Sequence, residues 1–377
     1  MSCEVDFLLL LDIPRMRWDA TQLVYHALGR LGIEALVLTR TIEPYVCVGF
    51  SQGISAEVDI EYCRRNRIGV FRREIGGGTV FIDKNQLLVQ LVLRRDNPAV
   101  PAGQNNFFRK FLSPILEVYR GLGLEAELRP PCDVLVKGRK ISGTGGGEVG
   151  ECAVLATNLL VDFNIDRMTR VLRCPGVEFR RALRNSLERN ITTLRAELGT
   201  PPPWSVLRRL VREGYANLLG ALEEPGSAPP LAPGGTGTER RKYRGGGRMR
   251  GAIPFYQIRR RKSGEGDGAA GGSPLTEAIA EEMERVRMEL FSKKWLGDQG
   301  AKKSFREVKV RELNYLVQFD CAGTELLLEV VEGRIASVKN LRRAGPEGWW
   351  SGLVGLDYCP EEIINIATRI AGNGSGR

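Results

Sequence analysis

The chain has 377 residues, 42% of them apolar and 27% charged, with 55 lysines and arginines against 45 aspartates and glutamates for a net charge of +10. That length exceeds what one ordinary hydrophobic core uses, so two domains are expected. No apolar run approaches the ~18 residues of a membrane span. Glu4, Asp6 and Asp12 stand where a secretory signal carries basic residues, and Phe7 to Leu11 is too short for its apolar core, so neither a membrane partner nor export is expected.

In chain order, apolar residues at three- and four-residue spacing predict a helix over Trp18 to Gly32, and β-branched runs predict strands at Ala35 to Leu38 and Tyr45 to Gly49. A helix is expected over Glu57 to Asn66, then strands at Thr79 to Phe81 and Leu87 to Leu93 and a helix over Asn106 to Leu122. Strands follow at Asp133 to Val136, Arg139 to Ser142 and Ala153 to Val161, and a helix at Pro203 to Leu222. Residues 1–223 therefore read as an α+β domain of catalytic size. Residues 224–273, rich in Pro, Gly and charge, read as an interdomain linker with too few apolar side chains to offset the entropy of ordering it. Residues 274–377 read as a smaller α+β domain, with a helix over Leu275 to Phe291 and a hairpin pair at Arg311 to Phe319 and Glu325 to Glu332. A strand at Arg334 to Lys339 and a closing helix over Pro360 to Ala371 complete it.

The basicity belongs to the linker. Glu239 to Lys262 holds ten basic residues and one acidic, a local net of +9, which leaves 45 basic against 44 acidic elsewhere. Spacing and solubility account for such a segment. An RGG-like arm touching RNA or an acidic partner is the functional alternative, and nucleic acid is not the expected partner of the folded domains. The eight cysteines are scattered without a C-x-x-C pair, which excludes a zinc ribbon or dithiol motif and fits a reducing cytoplasm. His26, the only histidine, lies within a helical pattern as a packed or solvated residue. Any chemistry must therefore rest on Lys, Arg, Asp, Cys or backbone amides.

Two clusters carry that chemistry. Arg72-Arg73-Glu74-Ile75-Gly76-Gly77-Gly78-Thr79-Val80-Phe81-Ile82-Asp83 offers bare main chain against which a ligand can lie, with two guanidinium groups beside it. Its spacing is neither a Rossmann nor a Walker phosphate loop. Cys132-Asp133 to Gly147 reads as a hairpin turning at Lys137-Gly138, and strand alternation places Lys140 and Ser142 on one face and Arg139 and Ile141 on the other. A lysine aimed into a glycine-walled cleft could hold a carboxylate and a phosphate together.

R-R-x-x-G-G-G-x-V-F-x-D at 72–83, D-x-L-V-x-x-R-K-I-S-G at 133–143, Leu159-Leu160-Val161-Asp162 and Asn190-Ile191-Thr192-Thr193-Leu194 resemble the lipoate-protein ligases of the biotin/lipoyl ligase and octanoyltransferase superfamily. Gly49-Phe50-Ser51-Gln52 is similar to that family's G-x-x-Q, and Phe291 to Trp295 with Val331 to Ile335 resembles its C-terminal accessory domain. The resemblance spans Leu23 to about Leu198 in motif order. It implies an α+β mixed-sheet catalytic domain with a small α+β accessory domain, helices on one side of the sheet, and the accessory domain able to swing over the cleft.

The implied reaction converts lipoate or octanoate and ATP, with Mg2+, to acyl-AMP, and then transfers the acyl group to a lysine of a lipoyl domain of a 2-oxoacid dehydrogenase or of glycine-cleavage H protein. Lys140 corresponds to the essential lysine. Arg72, Arg73, Gly76, Gly77, Gly78, Thr79, Val80, Asp83, Asp133, Ser142, Gly143, Ala156 and Thr157 correspond to substrate and nucleotide contacts, with Asp133 also a magnesium candidate. The chain departs from the pattern at Ile82, Cys132, Tyr25-His26 and Gly145-Gly146-Gly147, the last suggesting a lysine loop that is either more mobile or shaped to a larger acyl group. Two other readings remain. One is an octanoyltransferase working through a Cys174 thioester, with Cys152 also near the lysine loop; the other is a non-catalytic lipoyl-binding protein. The biotin-ligase loop G-R-G-R-x-x-R-x-W is absent from the sequence.

Overall fold

The computed structural model describes residues 8–225, 274–297, 305–321, 323–342, 348–360 and 362–374. The basic Gly/Pro/Arg-rich segment expected as a linker lies almost wholly outside the described residues.

A six-stranded mixed sheet organises the N-terminal part. Strands β1 (Leu8–Asp12) and β2 (Ala35–Thr39) run parallel on either side of helix α1 (Ala20–Leu31) in the chain. After β3 (Tyr45–Val48), helices α2 (Ile54–Glu57) and α3 (Ile60–Arg65), β4 (Gly69–Arg72) and β5 (Val80–Ile82), strand β6 (Gln86–Arg94) joins β2 antiparallel. Helix α4 (Gln104–Gly121) leads to the hairpins β7 (Ala126–Arg129), β8 (Asp133–Val136), β9 (Arg139–Ser142), β10 (Thr144–Val149) and β11 (Cys152–Leu160). Helices α5 (Ile165–Val171), α6 (Val177–Asn190), α7 (Leu194–Leu198) and α8 (Trp204–Leu219) follow, then the short strand β12 (Leu222–Glu223). The main sheet has the order β10-β11-β6-β2-β1-β12, and two three-stranded sheets, β4-β3-β5 and β7-β8-β9, flank it.

Period-two alternation buries both faces of the main sheet. Leu8, Leu10, Leu36, Leu38, Leu87 and Leu91 pack against α4 and α8, whereas Leu9, Leu11, Val37, Leu88 and Val92 pack against α1. Helices therefore cover both sides of the sheet, where the resemblance implied one. The reason is visible in β1, whose LLLL run has no polar face to turn to water.

Helix α9 (Pro274–Leu290), the first element after the expected linker, packs onto α1. Ile279, Met283, Val286 and Leu290 recur at helical spacing, and all four are buried in the core cluster that contains α1. Burying four such side chains is worth on the order of 6–12 kcal/mol as an upper bound. The ion pairs Arg30–Glu289 (2.7 Å) and Arg287–Asp19 at the rim add far less. After the short helix α10 (Lys293–Leu296), the remaining chain forms the antiparallel meander β13 (Phe305–Arg311), β14 (Asn314–Cys321), β15 (Thr324–Val331) and β16 (Arg334–Asn340). A 3-10 turn (Trp349–Leu353) and α11 (Ile363–Gly374) pack on one face of it around Val317, Phe319, Leu328 and Ile335. Its other face, through Val308, Val310, Leu316 and Leu327, meets α5 and α6. Among the described residues, no helix is long and apolar enough to cross a membrane.

Candidate active site

One cleft brings the two sequence clusters together. Gly77, Gly78, Thr79 and Val80 form one wall, Asp133, Lys140, Gly143, Ala156 and Thr157 another, and Arg73 lies at the base of the glycine wall.

The glycine loop is held by its neighbours' lack of side chains. Gly76 N–H donates to Gly146 O (3.0 Å), so the loop lies directly on β10. A Cβ at Gly145 would stand 2.7 Å from Gly76 O, and one at Gly49 only 1.9 Å from Gly77 O. The glycines at 145–147, expected to loosen the lysine loop, thus form a regular strand paired with β11, because nothing bulkier lets the 76–78 loop approach. Arg73, 6% exposed, donates to Gly76 O (3.0 Å), Gly78 O (2.9 Å) and Cys47 O (3.2 Å) and fixes the loop from behind. Gln52 Oε1 accepts from Gly49 N–H (3.2 Å) and Thr79 Oγ1 (3.0 Å), which ties the G-x-x-Q turn to the same wall. His26 is fully buried. It sits 2.7 Å through Nδ1 from Gln22 O and accepts Glu74 N–H at Nε2 (3.2 Å), a neutral ring pinning the loop to α1. Burial, aided by Arg30 and Arg73, pulls its pKa down to about 3.

Lys140 enters from β9. Its Nζ lies 2.7 Å from Asp133 Oδ1, with the lysine side chain 19% exposed and the aspartate 1%. Burial opposes the ammonium charge, but the Asp133 carboxylate outweighs it and raises the Lys140 pKa above that of an ordinary lysine. The main chain of Lys140 is anchored as well: Thr192 N–H donates to its carbonyl (2.9 Å), which gives the N-I-T-T run a local task. A relay from Gly143 N–H to Asn158 Oδ1 (2.8 Å), from Asn158 Nδ2 to Gln86 Oε1 (2.9 Å) and from Gln86 Nε2 to Phe81 O (3.0 Å) ties the lysine strand to β5.

Four expected contacts lie elsewhere. Gly76 does not line the cleft, since its N–H is taken by Gly146 O and its carbonyl by Arg73. Lys140 and Ser142 do not share a face: the β8–β9 register shifts between Val134 and Leu135, leaving Ile141 as an extra residue. The bulge turns Ser142 inward, where its hydroxyl meets Tyr119 OH (2.8 Å) rather than the cleft. Arg72, next to Arg73 on extended chain, points the opposite way. It is 1% exposed, donates to Phe50 O, Trp295 O and Gly297 O (3.2 Å each) and stacks 4.9 Å from the Trp295 ring, clamping the C-terminal end of α10. Asp83 accepts Asn85 N–H (2.9 Å) in the β5–β6 turn, and burial raises its pKa; it does not line the cleft.

The C-terminal meander supplies residues absent from the sequence reading. Val308, Lys309, Val310 and Glu312, at the end of β13 and its turn, close the cleft over Lys140. Glu312 N–H donates to Asp133 Oδ2 (2.7 Å), and its carboxylate pairs with Lys309. No glycine or asparagine marks this turn, since Leu313 itself takes the left-handed conformation (φ 61°), so the alternation ran unbroken into β14. Gln22, Cys47 and Gln90 were missed too; Gln90 could have been noticed as the one amide inside the apolar strand LLVQLVL. Asp133, Glu312 and Cys132 bring their ligand atoms within 4.8 Å of one another. Two carboxylates suit a hard divalent cation. Cys132 does not, because burial and then Asp133 push its thiol up to about 12.

Residues 14–215 match the lipoyl protein ligase A/B catalytic domain model. The chain belongs to this family. The chain is 25% identical over 233 residues to the octanoyltransferase LipM of Kyrpidia tusciae, covering 56% of this chain and 84% of that protein. It is 30% identical over 131 residues to the lipoate-protein ligase LplJ of Bacillus subtilis, covering 35% and 38%. Among solved structures, that of P. falciparum LipL1 in complex with lipoate aligns with a TM-score of 0.52 at 13% identity, over 88% of this chain and 84% of that one, a likeness of fold across both parts of the chain. Membership in a lipoate ligase and transferase family accords with the biotin/lipoate-ligase-like mixed α+β architecture. It leaves the choice between adenylation and thioester transfer to the residues.

The thiols bear on that choice. Cys174 does not line the cleft. Its Sγ donates to Thr169 O (3.8 Å), it packs against the cluster under α5 and α6, and burial raises its pKa. Cys152 is buried at the start of β11 with its thiol pushed up to about 11 by burial.

Proposed function

We propose that this member of the family is an ATP-dependent lipoate-protein ligase. It forms an acyl-adenylate from lipoate or octanoate and passes the acyl group to a lysine on a lipoyl domain or an H protein. The observation that carries the reading is the convergence of an ammonium group, a glycine wall and the turn of the C-terminal meander on one cleft, whose two lining thiols, Cys47 and Cys132, are held protonated by burial.

Lys140 has three donors. Asp133 takes one and fixes the direction of the others, which leaves two for a carboxylate and an α-phosphate held side by side. In the first step a carboxylate oxygen attacks the α-phosphorus and the bond to pyrophosphate breaks. In the second the acceptor's amine attacks the acyl carbon and AMP leaves. Negative charge grows on phosphate oxygens in both steps, and a preorganised cation within a largely buried cleft stabilises that charge more than water does. The bare main chain of Gly77 and Gly78 would bed the acyl chain. Asp133 and Glu312 would hold a magnesium ion arriving with the nucleotide, whose chemistry is to neutralise phosphate charge.

The octanoyltransferase reading is favoured by the name of the LipM relative. Against it stands the placement of Cys174, engaged with Thr169 O away from the cleft. The test is direct. Purified chain with ATP, lipoate and labelled pyrophosphate should show lipoate-dependent exchange. Octanoyl thioester on Cys174 from octanoyl-carrier protein, without exchange, would decide for the transferase, and neither activity would leave a binding protein.

A further inference from the structure

The buried floor of the cleft, where α1, β3 and the middle of β6 meet, is polar. Gln22 Oε1 accepts from Tyr25 OH (3.1 Å) and from the Cys47 thiol (3.5 Å), and Gln22 Nε2 donates to Tyr45 OH (2.7 Å). Tyr45 OH in turn meets Thr21 Oγ1 (2.8 Å). Every group of this network is matched except one. Gln90, 2% exposed and opposite Ala156 in the sheet, donates through Nε2 to Thr21 O (2.7 Å), which fixes which way its amide points. Its Oε1 is buried and has no hydrogen-bond partner among the described residues. Gln22, Cys47, Gln90 and Ala156 all line the same cleft as Lys140.

A cleft meant for a plain alkyl chain gains nothing from a buried amide acceptor, because sealing it under methylene groups keeps its desolvation cost. A chain ending in hydrogen-bond donors relieves that cost. We propose that this floor is a subsite for a donor-bearing acyl terminus and that Gln90 is the residue that selects it, so that the dithiol form of lipoate binds in preference to octanoate. The proposal rests on the ligase reading for its choice of acid. A thiol is a weak donor, so the expected preference is modest, about tenfold, or 1.4 kcal/mol. The oxidised dithiolane has no donor and ranks with octanoate.

The test is calorimetric titration of the full chain, without nucleotide, with octanoate, oxidised lipoate and dihydrolipoate, the last two in buffers of matched redox state and octanoate in both. The wild-type chain should bind dihydrolipoate about tenfold more tightly than the other two. In Gln90→Leu and in the closer volume match Gln90→Met the ratio should fall to about one, with octanoate bound as well as before or better. A wild-type ratio within twofold of one, or a tenfold ratio that survives both substitutions, would overturn the proposal. Pyrophosphate exchange measured in parallel separates the two ideas: exchange without discrimination refutes the subsite alone, whereas discrimination without exchange upholds the subsite and refutes the ligase.

Discussion

Replacing Gly49 by alanine isolates the contribution of backbone-on-backbone packing to the cleft. The added Cβ would stand 1.9 Å from Gly77 O and 3.1 Å from Gly77 C, against 3.4 Å or more for an ordinary contact. The 76–78 loop must therefore retreat by roughly 1.5 Å, and it cannot do so freely, because Arg73 holds Gly76 O and Gly78 O and β10 holds Gly76 N–H. Overpacking of this kind costs about 1–3 kcal/mol. Misplacing a substrate wall by about an ångström costs activity on the order of 100-fold. Urea denaturation should show the stability loss, and lipoate-dependent pyrophosphate exchange the larger functional loss. Gly176→Ala, where a Cβ meets nothing within 4 Å, is the control and should move activity little. A Gly49→Ala protein with wild-type stability and exchange would refute the close approach described here.

Three further outcomes are expected. His26 titrates near 3 when folded and near 6.5 when free. The unfolded chain thus takes up the proton first as pH falls, and the contribution of the neutral ring is whole above about 6.5 and drains away toward 3 at up to roughly 1.4 kcal/mol per pH unit. The urea midpoint of the wild type should drop between pH 7 and 5 more steeply than that of His26→Gln. Trp295→Ala removes the indole N–H bond to Arg72 O (2.9 Å) and the stack on its guanidinium, and should cost about 1–3 kcal/mol in thermal unfolding. Cys174→Ala should leave lipoate-dependent exchange within twofold of wild type; loss of all acyl transfer in that variant would favour the thioester route.

Much of the fold is legible in the sequence where one kind of local signal dominates. The runs around Leu36, Val89 and Val134 form the strands their β-branched and apolar alternation predicts, and α1, α4, α8, α9 and α11 follow their helical spacing to within a few residues. The signal fails where tertiary contact overrides it. Gly145 to Gly147 has poor strand propensity, yet it is strand because β11 and the 76–78 loop close on both sides of it. A single bulge residue, Ile141, parts Lys140 from Ser142, and no pattern along the chain announces it. Arg72 and Arg73 are equal in sequence and opposite in use, one clamping the connection to the meander and the other the glycine wall. Glu312 and Lys309 reach the cleft from more than 150 residues beyond Asp133, through a turn without turn residues, so only the folded chain brings them together.

The central claim is that Lys140 grips an activated acid against the glycine wall, and trapping the intermediate tests it most directly. Wild-type protein and Lys140→Ala, with matching circular dichroism and unfolding midpoints, would be incubated with ATP, magnesium and lipoate, quenched in acid, and assayed for lipoyl-AMP by mass spectrometry. Adenylate from the wild type and a loss of at least 100-fold in the variant is the expected result. Adenylate formed equally by both proteins, or by neither, would contradict it.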